Sequence, residues 1–246
     1  MTLALEVTGL AKSFGGLPAT NDVSLAIEPG ERRLIIGPNG AGKTTLFNLI
    51  TGDLPAVAGS IKLFGEEVVR LRTDQRAQLG LARTFQIITL FPKDTLAHNV
   101  VLSLLARTPA RWHAFTPLAA RRDLYARARE VLAGVGLADS AERPLAQVSY
   151  GEKRRVEIAM ALAQSPKLLL LDEPLAGLSM EERQTVQALL AAIPRDITII
   201  MIEHDMDTAL AFAERITLLH YGKVIVEGTR AEVVAHPSTR EVYLGA

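Results

Sequence analysis

The stretch Gly37-Pro-Asn-Gly-Ala-Gly-Lys-Thr-Thr45 decides the fold of this chain. It has the spacing of a phosphate-binding P-loop, in which a glycine is followed after four residues by Gly-Lys-Ser/Thr. The apolar run Leu34-Ile-Ile36 before it predicts a strand, and Leu46-Phe-Asn-Leu-Ile50 after it predicts a helix that stops at Gly52. The alternative is a glycine turn that only joins a strand to a helix, and this flanking context makes the P-loop the favoured interpretation.

The P-loop motif predicts a nucleotide site. A triphosphate is held by several backbone N–H groups aimed at one point, and glycines allow the turns that aim them. The first turn of the following helix adds unpaired N–H groups and the positive end of the helix dipole. Lys43 reaches the β- and γ-phosphates of ATP or GTP, and the hydroxyl of Thr44 is a ligand for Mg²⁺. The residues predicted to bind nucleotide here are Gly37, Pro38, Asn39, Gly40, Ala41, Gly42, Lys43, Thr44 and Thr45.

The composition excludes several other kinds of protein. The 246 residues carry 27 basic and 27 acidic side chains, so a nucleic-acid partner is not indicated. Cysteine is absent, which excludes disulfides, thiolate metal sites and cysteine nucleophiles and fits a reducing cytosol. No apolar run approaches the ~18 residues of a membrane span, and the first residues lack signal-peptide character. A membrane role is therefore expected to require partner proteins.

The order of the predicted elements indicates an α/β core. Leu168-Leu-Leu-Leu171 and Thr198-Ile-Ile-Met-Ile202 are unbroken apolar runs, as parallel strands buried on both faces require. Residues 180–193 between them predict a crossover helix. Two short strands before the P-loop, at 3–7 and 23–27, suggest an antiparallel edge added to this sheet.

A helical insertion is expected to interrupt the core. Between about residues 89 and 164, prolines separate segments of helical periodicity, and no convincing strand pattern occurs. We therefore expect one domain, with a nucleotide-binding core from 1–88 and 165–246 and a helical subdomain over 89–164. The stretch 107–117, which holds the only tryptophan, Trp112, predicts a surface loop or hairpin.

Ionisable side chains follow the two buried strands. Asp172 and Glu173 come directly after the first, and His204 follows the second. Ligands of open α/β sheets bind beyond the carboxyl ends of the strands, so these residues should lie beside the P-loop. Asp172 is then placed to hold Mg²⁺, Glu173 to accept the proton of an attacking water, and His204 to contact the γ-phosphate. The alternatives are two acids that merely close a strand and a structural histidine.

Ser149-Tyr-Gly-Glu152 precedes a long helical run that ends before Pro166. Ser149 and Glu152 have the spacing of a capping box, in which each side chain bonds the other residue's backbone N–H. A capped helix start that carries a serine and a glycine is also a phosphate site, and the two interpretations are compatible. The spacing alone does not choose between them.

Together these segments resemble the ATP-binding cassette (ABC) family of transporter ATPases over nearly the whole chain. The resemblance rests on their order: the P-loop at 37–44, Gln86 in Ala82-Arg-Thr-Phe-Gln86, the signature-like Val148-Ser-Tyr-Gly-Glu-Lys153, then Asp172-Glu173 and His204. It implies a RecA-like P-loop core with a mostly parallel sheet, an antiparallel β edge subdomain and an inserted α-helical subdomain.

The resemblance also implies a pair of cassettes arranged head to tail. Each ATP would lie between the P-loop of one subunit and the signature helix of the other. The implied roles are Mg²⁺ contact for Thr44, Gln86 and Asp172, general base for Glu173, a γ-phosphate contact for His204, closure from the partner subunit for Ser149 and Gly151, and adenine stacking for Phe14, in the glycine-rich loop after the first strand. Such a protein couples ATP hydrolysis to transmembrane transport.

Three positions depart from the family pattern. The signature is commonly Leu-Ser-Gly-Gly-Gln, but Tyr150 and Glu152 replace its first glycine and its glutamine. Ser179 stands where many members have an aspartate that contacts the other subunit. The serine and glycine expected to approach phosphate are kept, so the function implied by the resemblance is retained at the signature. The implied communication between subunits is in question at Ser179.

Several local runs resemble the ATPase subunits of high-affinity branched-chain amino acid importers, and a closely similar subunit serves urea uptake. The resemblance implies a homodimer or a heterodimer with a paralogous ATPase subunit. It also implies two integral membrane permease subunits, a solute-binding protein that acts indirectly from outside the membrane, and a place at the cytoplasmic face of the inner (plasma) membrane. The runs that carry this resemblance are Phe14-Gly15-Gly16-Leu17, Arg83-Thr-Phe-Gln86, Tyr150-Gly-Glu-Lys-Arg-Arg155, Ile202-Glu-His-Asp-Met206 and Tyr243-Leu-Gly245.

Two alternatives come from other classes of protein. The first is a soluble, non-transport ABC ATPase; such proteins tend to carry two cassettes, coiled coils or basic surfaces, which this sequence does not show. A small-molecule kinase would need an acceptor pocket, which the sequence does not indicate.

Overall fold

A computed structural model describes residues 2–84, 90–108, 117–204 and 212–244. Gln86 and Trp112 lie outside the described residues, and so does nearly all of the predicted loop at 107–117. The described parts of the chain divide into two compact units. The first comprises Met1–Arg83, Lys167–Glu173 and Ile193–Ala246, and the second comprises Thr84–Pro166 and Pro174–Ala192.

The described strands are β1 (Leu5–Phe14), β2 (Leu17–Ile27), β3 (Arg32–Ile36), β4 (Ala58–Leu63), β5 (Glu66–Glu67), β6 (Leu81–Arg83), β7 (Leu168–Asp172), β8 (Thr198–Ile202), β9 (Arg215–His220) and β10 (Lys223–Thr229). The described α-helices are α1 (Lys43–Thr51), α2 (Thr73–Leu79), α3 (Leu96–Ala106), α4 (Arg122–Gly134), α5 (Tyr150–Ala163), α6 (Met180–Ala192), α7 (Arg230–Ala235) and α8 (Pro237–Leu244).

A six-stranded sheet forms the centre of the first unit. Its order is β10-β9-β3-β8-β7-β6, and β9, β3, β8, β7 and β6 pair in parallel, whereas β10 closes a hairpin on β9. Strands β7 and β8 are buried along their whole length, as their apolar runs predict. Strand β3 is buried along its whole length too, although it begins with Arg32 and Arg33. The α/β class with a mostly parallel sheet is therefore confirmed.

The antiparallel strands form a separate sheet, so the expectation that they extend the edge of the parallel sheet is wrong. Its order is β2-β1-β4-β5. Strand β1 also continues further than predicted, because Gly15 and Gly16 have φ of 54° and 87° and make a two-residue turn that pairs Phe14 with Leu17. Phe14 therefore ends a strand instead of lying in a loop.

One apolar core joins the two sheets of the first unit to α1. Phe47 and Ile50 of α1 are buried against residues of both sheets, among them Leu5, Leu170 and Ile200. Helix α1 ends at Gly52, whose φ of 85° places it in the left-handed conformation of a helix C-cap, as predicted. This core fixes the start of α1 against the ends of the parallel strands.

The second unit has its own apolar core. It is built from one face of each of α3, α4 and α5, and its buried members include Val100, Leu132 and Val156. Within the described residues of this unit the only strand-like pairing is an isolated bridge between Thr95 and Pro144. Among all the helices described, none combines the length and apolar character needed to cross a membrane.

Candidate nucleotide-binding site

The P-loop connects β3 to α1 and needs its glycines for steric reasons. Gly37 has a φ of 152°, and a Cβ on it would lie 2.1 Å from the carbonyl oxygen of Leu219. Gly42 has a φ of 100°, and a Cβ on it would lie 2.1 Å from the carbonyl oxygen of Ala19. Backbone atoms cannot move aside as a flexible side chain can, so both positions require glycine.

Helix α1 begins with donors that no side chain caps. Gly42 is its N-cap residue and supplies no side-chain hydrogen bond. The first N–H groups of an α-helix have no partner within the helix, and together with the helix dipole they attract anions. Thr44 is exposed at this helix start, and Thr45 is partly buried. The loop and the start of α1 therefore place unpaired donors where the sequence predicts the phosphate site, an arrangement suited to an anion.

The side chain of Lys43 is buried against the P-loop. Its ammonium Nζ donates to the carbonyl oxygens of Gly37, at 2.6 Å, and Pro38, at 2.9 Å. Burial lowers the pKa of Lys43, and the nearby carboxylates of Glu173 and Asp172 act in the opposite direction. The structure therefore brings the P-loop cation and the two predicted acids into one electrostatic neighbourhood.

Asp172 ends β7 with one oxygen bonded and the other without a donor. Its Oδ2 accepts from Nη2 of Arg83 at 2.8 Å. Its Oδ1 is buried and has no hydrogen-bond partner. Burial raises the pKa of the Asp172 carboxyl above its usual value, although Arg83 acts in the opposite direction. A buried acceptor oxygen without a donor is suited to a cation.

A magnesium ion fits this set of residues. The described residues contain no group of three or more His, Cys, Asp or Glu side chains that could hold a metal. Mg²⁺ is usually bound by one or two carboxylates, substrate phosphates and water rather than by a cage of protein ligands. Oδ1 of Asp172 is the carboxylate oxygen available here.

Arg83 ties the end of β7 to α1, and sequence reasoning did not single it out. Its Nη1 donates to Oδ1 of Asn48 at 2.6 Å and lies 3.4 Å from Oδ2 of Asp53. Its guanidinium lies 5.5 Å from the ring centroid of Phe47. The same side chain thus contacts the predicted metal ligand, Asp172, and three side chains of α1 and the turn after it.

Glu173 and His204 lie at the ends of neighbouring strands and contact each other. Oε1 of Glu173 is 2.6 Å from Nε2 of His204. The backbone N–H of Glu173 donates to the carbonyl oxygen of Ile202 at 3.0 Å. Glu173 has a φ of 48°, in the left-handed region, which costs energy for a residue other than glycine. Backbone strain of this kind is concentrated at functional sites.

The start of α5, in the second unit, has the predicted capping box. Oγ of Ser149 accepts from the N–H of Glu152 at 3.1 Å, and Oε2 of Glu152 accepts from the N–H of Ser149 at 2.8 Å. A further carboxylate, which was not predicted, also reaches this place. Oε1 of Glu182 accepts from Oγ of Ser149 at 3.1 Å and from the N–H of Gly151 at 3.0 Å.

Phe14, expected to stack on adenine, is half exposed at the end of β1, with 48% of its surface accessible. The ammonium of Lys12 lies 5.5 Å from its ring centroid. An exposed aromatic face at a strand end is compatible with stacking, which stays a prediction. Gln86, the other predicted Mg²⁺ contact, lies outside the described residues.

A P-loop between a parallel strand and a helix, with an acidic pair at the end of a neighbouring strand, defines the class of P-loop nucleotide-binding proteins. The family follows from comparison with known proteins. A profile of the ABC transporter family matches residues 20–176. The chain therefore belongs to the ABC transporter family, as one of its ATP-hydrolysing domains.

Two curated relatives span nearly the whole chain. The high-affinity branched-chain amino acid transport ATP-binding protein BraF of Pseudomonas aeruginosa is 36% identical over 254 residues, which cover 98% of this chain and 97% of the relative. The high-affinity branched-chain amino acid transport ATP-binding protein LivG of Escherichia coli K12 is 35% identical with the same coverage.

Solved structures of ABC transporter cassettes have the same fold. A nucleotide-free ATP-binding cassette superposes with a TM-score of 0.89 at 27% identity and covers 100% of both chains. A cassette in its ADP conformation gives a TM-score of 0.87 at 28% identity, again over 100% of both chains. A dimeric cassette in a post-hydrolysis state, bound to ADP and phosphate, gives 0.79 at 28% identity and covers 92% of this chain and 98% of that one.

Proposed function

We propose that this chain is the ATPase subunit of an importer that takes up branched-chain amino acids or closely related solutes. The two curated relatives named above, which match nearly the full length at 36% and 35% identity, carry this proposal. The cargo itself would be selected by a binding protein and a membrane channel. The residues of this chain therefore support ATP hydrolysis as the energy source of transport, and the relatives support branched-chain amino acids as the class of cargo.

The P-loop residues would bind the triphosphate. Lys43 now donates to two loop carbonyls, and an arriving γ-phosphate would replace those neutral acceptors with charged ones, which form stronger hydrogen bonds. The backbone N–H groups at the start of α1 would hold the β-phosphate region. Phe14 would stack on the adenine, since an aromatic ring provides a flat apolar surface for a base.

Asp172, Thr44 and Gln86 would hold Mg²⁺. Mg²⁺ in such sites neutralises charge on the β- and γ-phosphates. Arg83 donates to Oδ2 of Asp172 and leaves Oδ1 without a donor, so the ion pair with Arg83 sets the orientation of this carboxylate. Preorganised ligands of this kind lower the reorganisation needed on binding.

Hydrolysis would use Glu173 and His204. A water oxygen attacks the γ-phosphorus, the bond to the β-phosphate oxygen breaks, and Glu173 accepts the proton released by the water. His204 now shares its Nε2 with Oε1 of Glu173, and it would contact the γ-phosphate as charge moves during transfer. The products are ADP and inorganic phosphate.

Two cassettes would act as a pair, either of identical subunits or with a paralogous ATPase. Ser149 and Gly151 of the partner would complete each ATP site, so ATP favours the closed pair and hydrolysis reopens it. A dimeric cassette with bound ADP and phosphate among the similar structures supports this arrangement. The motion would pass to two permease subunits at the cytoplasmic face of the inner (plasma) membrane, with a solute-binding protein acting outside.

The cargo is tested by deleting the gene in its host and measuring uptake of radiolabelled leucine, isoleucine, valine and, separately, urea. We expect loss of branched-chain amino acid uptake, restored by the wild-type gene and not by the Glu173→Gln variant. Loss of urea uptake with unchanged amino acid uptake would overturn the proposed cargo. Recovery of the tagged protein with ribosomes or DNA instead of integral membrane proteins would overturn the transport role.

A further inference from the structure

The two carboxylate oxygens of Glu182 make different contacts. Oε2 accepts from the N–H of Ser179 at 3.1 Å, and Oγ of Ser179 accepts from the N–H of Glu182 at 3.3 Å. This half of the side chain caps its own helix, α6. Oε1 instead crosses to α5, where it accepts from Oγ of Ser149 and the N–H of Gly151. A capping role accounts for the first oxygen only.

The start of α5 is shaped to receive this second oxygen. A Cβ on Gly151 would lie 2.5 Å from Oε1 of Glu182, so a larger residue at position 151 would push this flexible side chain out of its present contact. A hydroxyl, a backbone N–H and the positive end of a helix dipole are the groups that bind a phosphate oxygen at a helix start. Backbone hydrogen bonds from Ser179 and Gly151 hold the pKa of Glu182 below its usual value, so the side chain stays an anion.

We infer that Glu182 is an internal anion that occupies the phosphate-binding start of α5 and must be displaced by the γ-phosphate of ATP held on the partner subunit. The inference rests on the proposed function, in which Ser149 and Gly151 meet that phosphate. Both anions need the same two donors, so they compete for one place. When two cassettes close on ATP, Oε1 therefore loses its two hydrogen bonds, whereas Oε2 keeps its hydrogen bond with the N–H of Ser179.

This competition opposes closure and favours reopening. Without ATP, Glu182 satisfies the donors of Ser149 and Gly151 and removes an attraction for the other subunit. After hydrolysis, its carboxylate can return to the same donors and oppose retention of phosphate. If Glu182 only bridged α5 and α6 structurally, its removal would have the opposite effect. The start of α5 would be less ordered and would bind the partner's ATP more weakly.

The test uses the hydrolysis-deficient Glu173→Gln protein as its parent, so that the closed pair accumulates. Light scattering measures the ATP concentration at which half of the parent is dimeric. We then expect Glu182→Gln to lower that concentration by about tenfold, since it weakens two hydrogen bonds to a charged acceptor. Glu181→Gln is the matched control, because it removes the same charge from the exposed neighbouring residue, and it should change nothing.

A second variant, Glu182→Asp, and a kinetic measurement of KM for ATP provide independent tests of the competition. Glu182→Asp keeps the charge but is one methylene shorter, so it should shift the dimer midpoint in the same direction, and it decides the matter if Glu182→Gln does not fold. In the otherwise wild-type protein, Glu182→Gln should lower KM for ATP and should not raise kcat, because reopening and phosphate release lose the returning carboxylate. An equal or higher ATP requirement in the folded variants overturns the inference and leaves the proposed function standing. A parent that binds ATP without dimerising overturns both.

Discussion

Nε2 of His204 lies 2.6 Å from Oε1 of Glu173, so the side chains that follow β8 and β7 contact each other directly. The register of the sheet is consistent with the contact, because Asp172 and Ile202 are paired across β7 and β8, and Glu173 and His204 follow them by one and two residues at the same edge. The contact with His204 therefore helps to set where the Glu173 carboxylate points.

Replacing His204 with alanine should slow hydrolysis far more than it weakens ATP binding. The variant would lose the proposed γ-phosphate contact and the contact of Nε2 with Oε1 of Glu173. Loss of one donor to developing charge costs about 10²- to 10³-fold in kcat. Steady-state phosphate release gives kcat, and a fluorescent ATP analogue gives affinity. An unchanged kcat would show that His204 has no role in hydrolysis.

Replacing Arg83 with methionine should destabilise the fold. The change leaves the buried Asp172 without its ion pair, whose two side chains are 6% and 1% exposed. Removal of one member of a buried pair costs about 3–5 kcal/mol in the free energy of unfolding. Urea denaturation measures this loss. Arg129→Met is the control, because its pair with Glu142 is exposed and should contribute little. A loss no larger than that of the control would contradict the anchoring role of Arg83.

Asp172 predicts a pH dependence of stability in the absence of nucleotide and Mg²⁺. Burial raises its pKa in the folded state, so between the unfolded and folded pKa values the folded protein binds more protons. Stability from this group therefore falls as pH rises through that window. Asparagine does not ionise, so Asp172→Asn should gain stability relative to wild type as pH rises above about 4. Urea unfolding of both proteins at several pH values measures the difference, and a difference that moved the other way would contradict it.

Two glycines of the P-loop provide a matched pair. A Cβ on Gly42 meets a backbone oxygen at 2.1 Å, whereas a Cβ on Gly40, with φ of 79°, meets nothing within 4 Å. Gly40→Ala should cost only the left-handed strain, about 1–2 kcal/mol. Gly42→Ala adds a steric clash and should cost about 2–5 kcal/mol in the free energy of unfolding and lose ATP binding. Chemical denaturation and a nucleotide-binding titration check both values, and equal losses in the two variants would show that the approach of Ala19 does not matter.

The sequence predicted the elements whose pattern is local. Strands β7 and β8 are unbroken apolar runs, and the P-loop has a fixed spacing of glycines, so both could be placed from residue order. Strand β6 was missed because Leu81–Arg83 is too short to show a period. The end of β1 was placed too early, since Thr8, Gly9, Lys12 and Ser13 interrupt the apolar pattern and only the glycine turn at 15–16 shows that pairing continues.

The missed site residues act across long distances in the sequence. Arg83 and Asp172 are 89 residues apart, and nothing in either segment indicates the other. Glu182 reaches Gly151 from 31 residues away. The sequence did contain a signal for the helix-capping contact of Glu182, since Ser179 and Glu182 have capping-box spacing. The contact of its other oxygen with α5 depends on how two helices pack, which residue patterns do not encode.

The proposed mechanism requires that the P-loop bind ATP and that Glu173 accept the proton of the attacking water. Single-turnover hydrolysis of Mg-ATP by the Glu173→Gln variant tests it most directly, with ATP affinity measured on the same protein. We predict unchanged affinity and hydrolysis slower by about 10²- to 10⁴-fold, the usual contribution of a general base. Hydrolysis at the wild-type rate in a variant that binds ATP normally would contradict the account.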